Sequence, residues 1–216
     1  MRFWEYDLRA DALHIGERIK KGTFRPMVPV LSVGGVDYRP IPYSTASGAL
    51  REWLGLRWDA PVHAAGYLTG GNMESLTIAP RDNVTGVSKL PITVQYLSQA
   101  RGKLFVGLDE HTTSMPERVD MVMGGMRYKG FGLCHLRQVS TEPIEPEPEE
   151  GILLTRIPEE ALWVFGINRQ ILETDGPYRW GYLFKPTSAT GGIYVRSLFE
   201  ESRVTADSLF IDRGGR

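Results

Sequence analysis

From Trp4 to Leu13 apolar and charged side chains alternate: Trp4, Tyr6 and Leu8 fall on one side, Glu5, Asp7 and Arg9 on the other. A period of two sends successive side chains to opposite faces, so the pattern predicts a first β-strand ending near Leu13. Residues 17–39 then lose periodicity among Gly22, Pro26, Pro29, Gly34 and Gly35, and predict a long loop with a short strand at Val28, Val30 and Leu31. Pro42 blocks helix before it. Ala46, Leu50, Trp53 and Leu54 recur at helical spacing, with Ser44 or Thr45 as the N-terminal cap and Gly55 as the stop. Residues 61–90 are glycine-punctuated and predict a protruding β-ribbon built on Leu76–Ile78 and Val84–Val87. Strands are expected at Pro91–Leu97 and Lys103–Leu108, with a turn at Gln99–Gly102. A short helix is expected at Pro116–Met123, then a glycine-rich loop, then a strand from Phe131 to Val139.

The remainder reads as a second region. Residues 140–150, rich in Pro and Glu, predict an exposed acidic linker. A short helix at Glu159–Phe165 and strands at Trp180–Phe184, Gly192–Phe199 and Val204–Ile211 follow. The expected fold class is α+β: a ferredoxin-like, RRM-like domain with helices on one face of an antiparallel sheet, over residues 1–139. An inserted ribbon lies around 61–90, and a smaller accessory β-rich region spans 151–216. The open sheet face, or the loops beside it, is where such domains often take RNA.

Charge changes this picture only locally. The net charge is -1, so no global basic field advertises nucleic acid, and any such site must gather its cations on one face. The acids Glu142, Glu145, Glu147, Glu149 and Glu150 are segregated in the linker. Cys134 is the sole cysteine, which excludes an internal disulfide and fits a reducing compartment. The N-terminal stretch is broken by charge every two or three residues, so neither a signal peptide nor a membrane span is expected, and the default location is cytoplasmic. His63, His111 and His135 are scattered, without a metal-ligand pair. The phosphate-loop pattern GxxxxGK[ST] is absent, so no nucleotide is indicated. No metal and no cofactor are expected.

The densest chemistry is Gly124-Gly125-Met126-Arg127-Tyr128-Lys129-Gly130-Phe131-Gly132. Glycines allow left-handed backbone and close approach, and Arg127 and Lys129 add charge. The combination suits a loop around a phosphodiester chain. Gly124, Gly125, Gly130 and Gly132 are therefore candidate RNA-backbone contacts along with both cations. Ser44, Thr45 and Ser47 offer hydroxyls, and amides at a helix start, to a phosphate, with Arg51 one turn further on. Arg18, Lys20, Lys21 and Arg25 form a second group of cations that either contact RNA or face solvent. His14, at a strand end, is read as an RNA-contacting or structural histidine. An alternative set of His14, Tyr43 and Lys129 could deprotonate a ribose hydroxyl and stabilise the transition state. Asp37 reads as a turn cap.

Two stretches together resemble a known family. Leu13-His14-Ile15-Gly16, followed by the run from Pro42 to Arg51 (PYSTASGALR), and the loop GGMRYKGFG are similar to motifs of the RAMP superfamily of CRISPR-associated proteins. Tyr43 and Ser47 stand where the family pattern has Gly and Lys, and the loop's usual basic content is reduced to Arg127 and Lys129. More than eighty residues follow the loop, unlike the processing nucleases of the superfamily, whose glycine loop lies near the C-terminus. The resemblance implies a non-catalytic, RNA-binding subunit of a ribonucleoprotein effector in antiviral or anti-plasmid defence. The branch it resembles most is the Cas-five type, in a type IV-like setting. That branch binds the 5′ handle of the crRNA and caps the backbone filament. The implied partners are crRNA, a neighbouring Cas-seven-type backbone subunit, the effector's large subunit and, indirectly, target nucleic acid; no membrane is implied. The alternatives are a metal-independent crRNA-processing endoribonuclease using His14 and Lys129, a Cas-seven-like backbone subunit with an acid at Asp37 and Mg²⁺, and an unrelated ferredoxin-like interaction domain.

Overall fold

A computed structural model describes residues 1–16, 22–79, 81–82, 84–87, 89–107, 115–168, 178–188 and 191–214. The predicted alternation becomes β1, Phe3–Leu13. Trp4, Tyr6, Leu8 and Ala10 are buried on one face; Asp7 and Arg9 are exposed on the other, where Lys103 Nζ meets Glu5 at 2.7 Å and Asp7 at 2.8 Å. The next stretch holds β2 (Phe24–Arg25), β3 (Leu31–Val33) and β4 (Val36–Ile41). The last two form a hairpin around Gly34-Gly35 that the loop reading passed over, while Val28 is buried outside any strand. Helix α1 spans Tyr43–Trp53.

The two longest elements are β5 (His63–Ile78) and β6 (Ile92–Gly107), paired antiparallel along their length. The expected turn at Gln99–Gly102 is instead a bulge inside β6. Gln99 takes a φ of 50°, and the register slips twice opposite Gly70, which absorbs the small residues without ending the strand. The ribbon predicted near 61–90 is thus the outer half of two core strands. Val84–Val87 sits not in a strand but in a turn whose amides at Val84 and Thr85 bond Asp82 Oδ1 at 2.9 and 3.0 Å.

The expected helix at Pro116–Met123 is also overturned. Arg118–Val122 is strand β7, with Val119 and Met121 inward and Arg118, Asp120 and Val122 outward, a period of two. It pairs with β8, Leu133–Gln138, at one edge of the main sheet. The sheet runs β3-β4-β5-β6-β1-β8-β7, with β2 alongside β6. Ala46, Ala49 and Leu50 of α1 pack on it with Tyr6, Leu8, Leu104 and Leu136. Each large side chain so buried is worth roughly 1.5–3 kcal/mol.

The opposite face carries Phe3, Ala65 and Phe105, and the C-terminal region covers them. That region consists of β9 (Pro148–Leu153), β10 (Ile157–Pro158), a 3₁₀ helix at Glu159–Phe165, β11 (Trp180–Pro186), β12 (Gly192–Leu198), β13 (Arg203–Asp207) and β14 (Ile211–Asp212). They form two small sheets, β13-β9-β14 and β10-β12-β11. Phe210 is the keystone: its ring lies 5.1 Å from Phe3, 5.1 Å from Phe105 and 4.7 Å from Phe165. The segment read as an acidic linker is partly built into this structure. Ile144 exchanges both backbone hydrogen bonds with Phe3, and Pro148, Glu149 and Glu150 lie in β9. Arg203 and Arg213 pair with Glu150 and Glu149, so these acids serve the C-terminal sheet. A buried bidentate pair, Arg156 with Glu200 at 2.7 and 2.6 Å, fixes the joint, and Thr155 Oγ1 donates to Ile41 O at 2.8 Å. Among the described residues no helix is long and apolar enough to cross a membrane.

Candidate nucleic-acid interface

The end of β1, the start of α1 and the glycine loop meet over one cleft of about 390 Å³. It is lined by Ile15-Gly16, by Ser44, Thr45, Gly48, Ala49 and Glu52 of α1, and by Val122 to Gly125 with Arg127. The glycine loop hangs from β1 by backbone bonds. Gly125 N–H donates to His14 O and Gly132 N–H to Ala12 O, each at 2.8 Å. The fit is backbone against backbone: a Cβ on Gly124, whose φ is +86°, would sit 2.4 Å from His14 O. The 3₁₀ turn Arg127–Lys129 is bracketed by two left-handed residues, Met126 and Gly130. Its tip presents Tyr128, 76% exposed, and Lys129, whose Nζ lies 5.5 Å from the Tyr128 ring. A cation beside an open aromatic face suits a base and its phosphate.

The predicted site residues divide sharply. Arg127, Gly124, Gly125, Ser44 and Thr45 line the cleft, whereas Lys129 stands at the loop tip, which Gly130 caps. Gly132 is buried and structural. His14 is buried, not presented to a ligand; its Nδ1 donates to Gln95 O at 2.6 Å. Burial pushes its pKa down, the Gln95 carbonyl bond opposes this, and the Arg25 charge lowers it further. Ser47 is wholly buried and exchanges hydrogen bonds with the Ala64 backbone at 3.2 and 2.9 Å. Arg51 is committed to Ala60 O and Val62 O, at 2.7 and 3.2 Å, where it braces the loop after α1. Arg25 bonds the backbone of Gly22 and Phe24. Arg18, Lys20 and Lys21 lie outside the described residues.

The helix start also differs from expectation. The N-cap is Pro42, without a side-chain cap, and neither Ser44 nor Thr45 takes that role. Tyr43 N–H donates to Arg156 O, and the Thr45 and Ala46 amides go to Pro42 O, so the first turn has few amides to spare. Ser44 and Thr45 nevertheless line the cleft. The set His14, Tyr43 and Lys129 is not brought together. The Tyr43 hydroxyl contacts His63 Nδ1 at 3.0 Å and its ring packs on Phe165, while Lys129 stands at the loop tip. Asp37 accepts from Ser32 across the β3–β4 hairpin, as a turn-associated acid does. Among the described residues no group of three His, Cys, Asp or Glu side chains could hold a metal ion. Cys134 is buried, and burial raises its thiol pKa to about 12, leaving it chemically inert at neutral pH.

Two participants escaped the sequence reading. Glu52 enters the cleft and accepts from Arg127. An acid in the last turn of a helix, against the dipole, was the available signal. Phe131, read only as part of a glycine motif, is buried edge-on against Tyr96 of β6 with centroids 4.9 Å apart.

No protein-family model matches the sequence, and no curated protein is similar to it. Among solved structures, the fold matches a chain of the type III-B Cmr-beta bound to cognate target RNA. The match covers 95% of this chain and 86% of that one, at 11% identity and a TM-score of 0.52. A chain of Cmr-beta bound to cognate target RNA and AMPPnP, state 1, matches over the same shares at 10% identity and a TM-score of 0.45. At such identity the fold is what is shared, and the chain has the mostly antiparallel α+β architecture of its Cmr-beta neighbour.

Proposed function

We propose that this chain is an RNA-binding subunit of a CRISPR ribonucleoprotein effector, of RAMP type, and that the cleft holds guide-RNA backbone. One observation carries the reading. The two stretches that resemble RAMP motifs, PYSTASGALR and GGMRYKGFG, are far apart in the chain, yet both line the same cleft, the first through Ser44, Thr45, Gly48 and Ala49, the second through Gly124, Gly125 and Arg127. The strand order β5-β6-β1-β8, with α1 after β1, supports an RRM-like, ferredoxin-like core. The Cmr-beta neighbour, bound to RNA, supports the effector setting.

Within that setting the chain acts as the end cap at the crRNA 5′ handle, beside a Cas-seven-type subunit and the large subunit, in the cytoplasm. The extra β-region after the glycine loop supports this branch. The chain binds without cutting: the burial of His14 and the separation of Tyr43 from Lys129 support that role. The paired change Arg127→Ala with Lys129→Ala tests the cleft, using a labelled crRNA and fluorescence anisotropy over a salt series. Loss of two phosphate contacts weakens binding and makes the negative slope of log K against log salt shallower by about 1.4. Unchanged affinity and slope refute the reading. Copy number in the purified complex tests the cap: one copy per guide supports it, several refute it.

A further inference from the structure

A surface that grips a polyanion has no need of a carboxylate, yet Glu52 lines the cleft and accepts a hydrogen bond from Arg127 Nη1. Both side chains stay wet, 64% and 46% exposed, so the contact can open without unfolding anything. The helix gains little from Glu52. It sits in the last turn of α1, where the partial negative charge of the carbonyl end disfavours an anion. Arg51 next to it turns its guanidinium to Ala60 O and Val62 O. Among the described residues that line the cleft, Glu52 is the sole acid and Arg127 the sole cation. A carboxylate presents two oxygens to a guanidinium much as a phosphate does.

We infer that Glu52 is an internal competitor for the RNA phosphate. In the free protein its carboxylate occupies Arg127 and keeps the guanidinium at the cleft. A phosphodiester must displace it to engage Arg127. This inference rests on the RNA-binding reading above. A strand seated in register, with a phosphate at Arg127 and further contacts along the loop, completes the exchange. An anion that meets Arg127 alone has to overcome a tethered rival.

The test is a double-mutant cycle with a 5′-labelled single-stranded crRNA at low salt, using the full chain and the variants Glu52→Gln, Arg127→Ala and both together. An exposed ion pair of this kind sets the scale, so Glu52→Gln tightens RNA binding about two- to fivefold. The gain shrinks as salt is raised, and it vanishes when Arg127 is already Ala. A merely structural Glu52 gives no gain in affinity from its removal. Unchanged or weaker binding by Glu52→Gln, or an equal gain in the Arg127→Ala background, overturns the competitor. If Arg127→Ala weakens binding while Glu52→Gln is neutral, the competitor alone fails. If Arg127→Ala binds as the unaltered chain does, the cleft reading fails with it.

Discussion

Gly132 and Gly130 both close the glycine loop with positive φ, +92° and +84°, yet alanine at the two positions should have very different effects. A Cβ on Gly130 meets nothing within 4 Å. Gly130→Ala therefore costs only the left-handed conformation, about 1–2 kcal/mol. A Cβ on Gly132 would lie 2.1 Å from Met123 O, a backbone atom that cannot swing aside. Relieving that contact separates the loop's two ends. It strains the bonds from Met123 N–H to Gly132 O and from Gly132 N–H to Ala12 O, both 2.8 Å. Adding one or two such bonds at about 0.5–1.5 kcal/mol each brings Gly132→Ala to about 1.5–5 kcal/mol. Urea unfolding followed by tryptophan fluorescence measures both variants, with Gly130→Asn as a control that tolerates the left-handed region. A Gly132→Ala loss no greater than that of Gly130→Ala would refute the steric argument.

Two further outcomes follow from buried charge. Arg156→Met leaves Glu200 buried without its bidentate partner and lowers stability by about 3–5 kcal/mol, whereas Arg156→Met with Glu200→Leu recovers most of the loss; a single variant within about 1 kcal/mol of the unaltered chain in urea melts contradicts this. Burial raises the Asp207 carboxyl to about 6, with the N-terminal ammonium pulling the other way. Between about pH 4, the ordinary Asp value, and about pH 6 the folded chain holds a proton that the unfolded chain has lost, so stability relative to Asp207→Asn falls as pH rises through that window and then levels off. A pH-independent difference between the two melting curves refutes it.

The sequence exposed those parts of the fold in which one physical period dominates. β1 alternates cleanly because one face is core and much of the other meets solvent, and α1 shows its stripe at Ala46 and Leu50. The errors came where two signals overlap. Val119, Val122 and Met123 satisfy a helical spacing, but Met121 and the outward Asp120 satisfy a strand, and pairing with β8 decides it. Gln99-Ala100-Arg101-Gly102 has turn composition, yet cross-strand bonds to β5 and β1 hold it extended through a bulge. At the site, motif residues were legible as a set but not as individuals. His14, Ser47 and Arg51 carry suitable chemistry, and only tertiary contacts show that it is committed to Gln95, Ala64 and the loop after α1. Glu52 reaches the cleft through the placement of a helix face opposite a distant loop, which no local pattern encodes.

The continuity of β6 has a mechanical consequence. Near Lys103 the strand is the middle of the sheet; near Ile92 it is the arm. Between these, Gln95 and Tyr96 grip the glycine loop, the first through His14 to Gly125, the second through the Phe131 ring. The arm is therefore a lever whose fulcrum bears on the cleft between α1 and the glycine loop. Its tip, where Val84 and Leu90 stand 93% and 77% exposed, is joined by continuously hydrogen-bonded strands to the loop that carries Arg127 and Lys129.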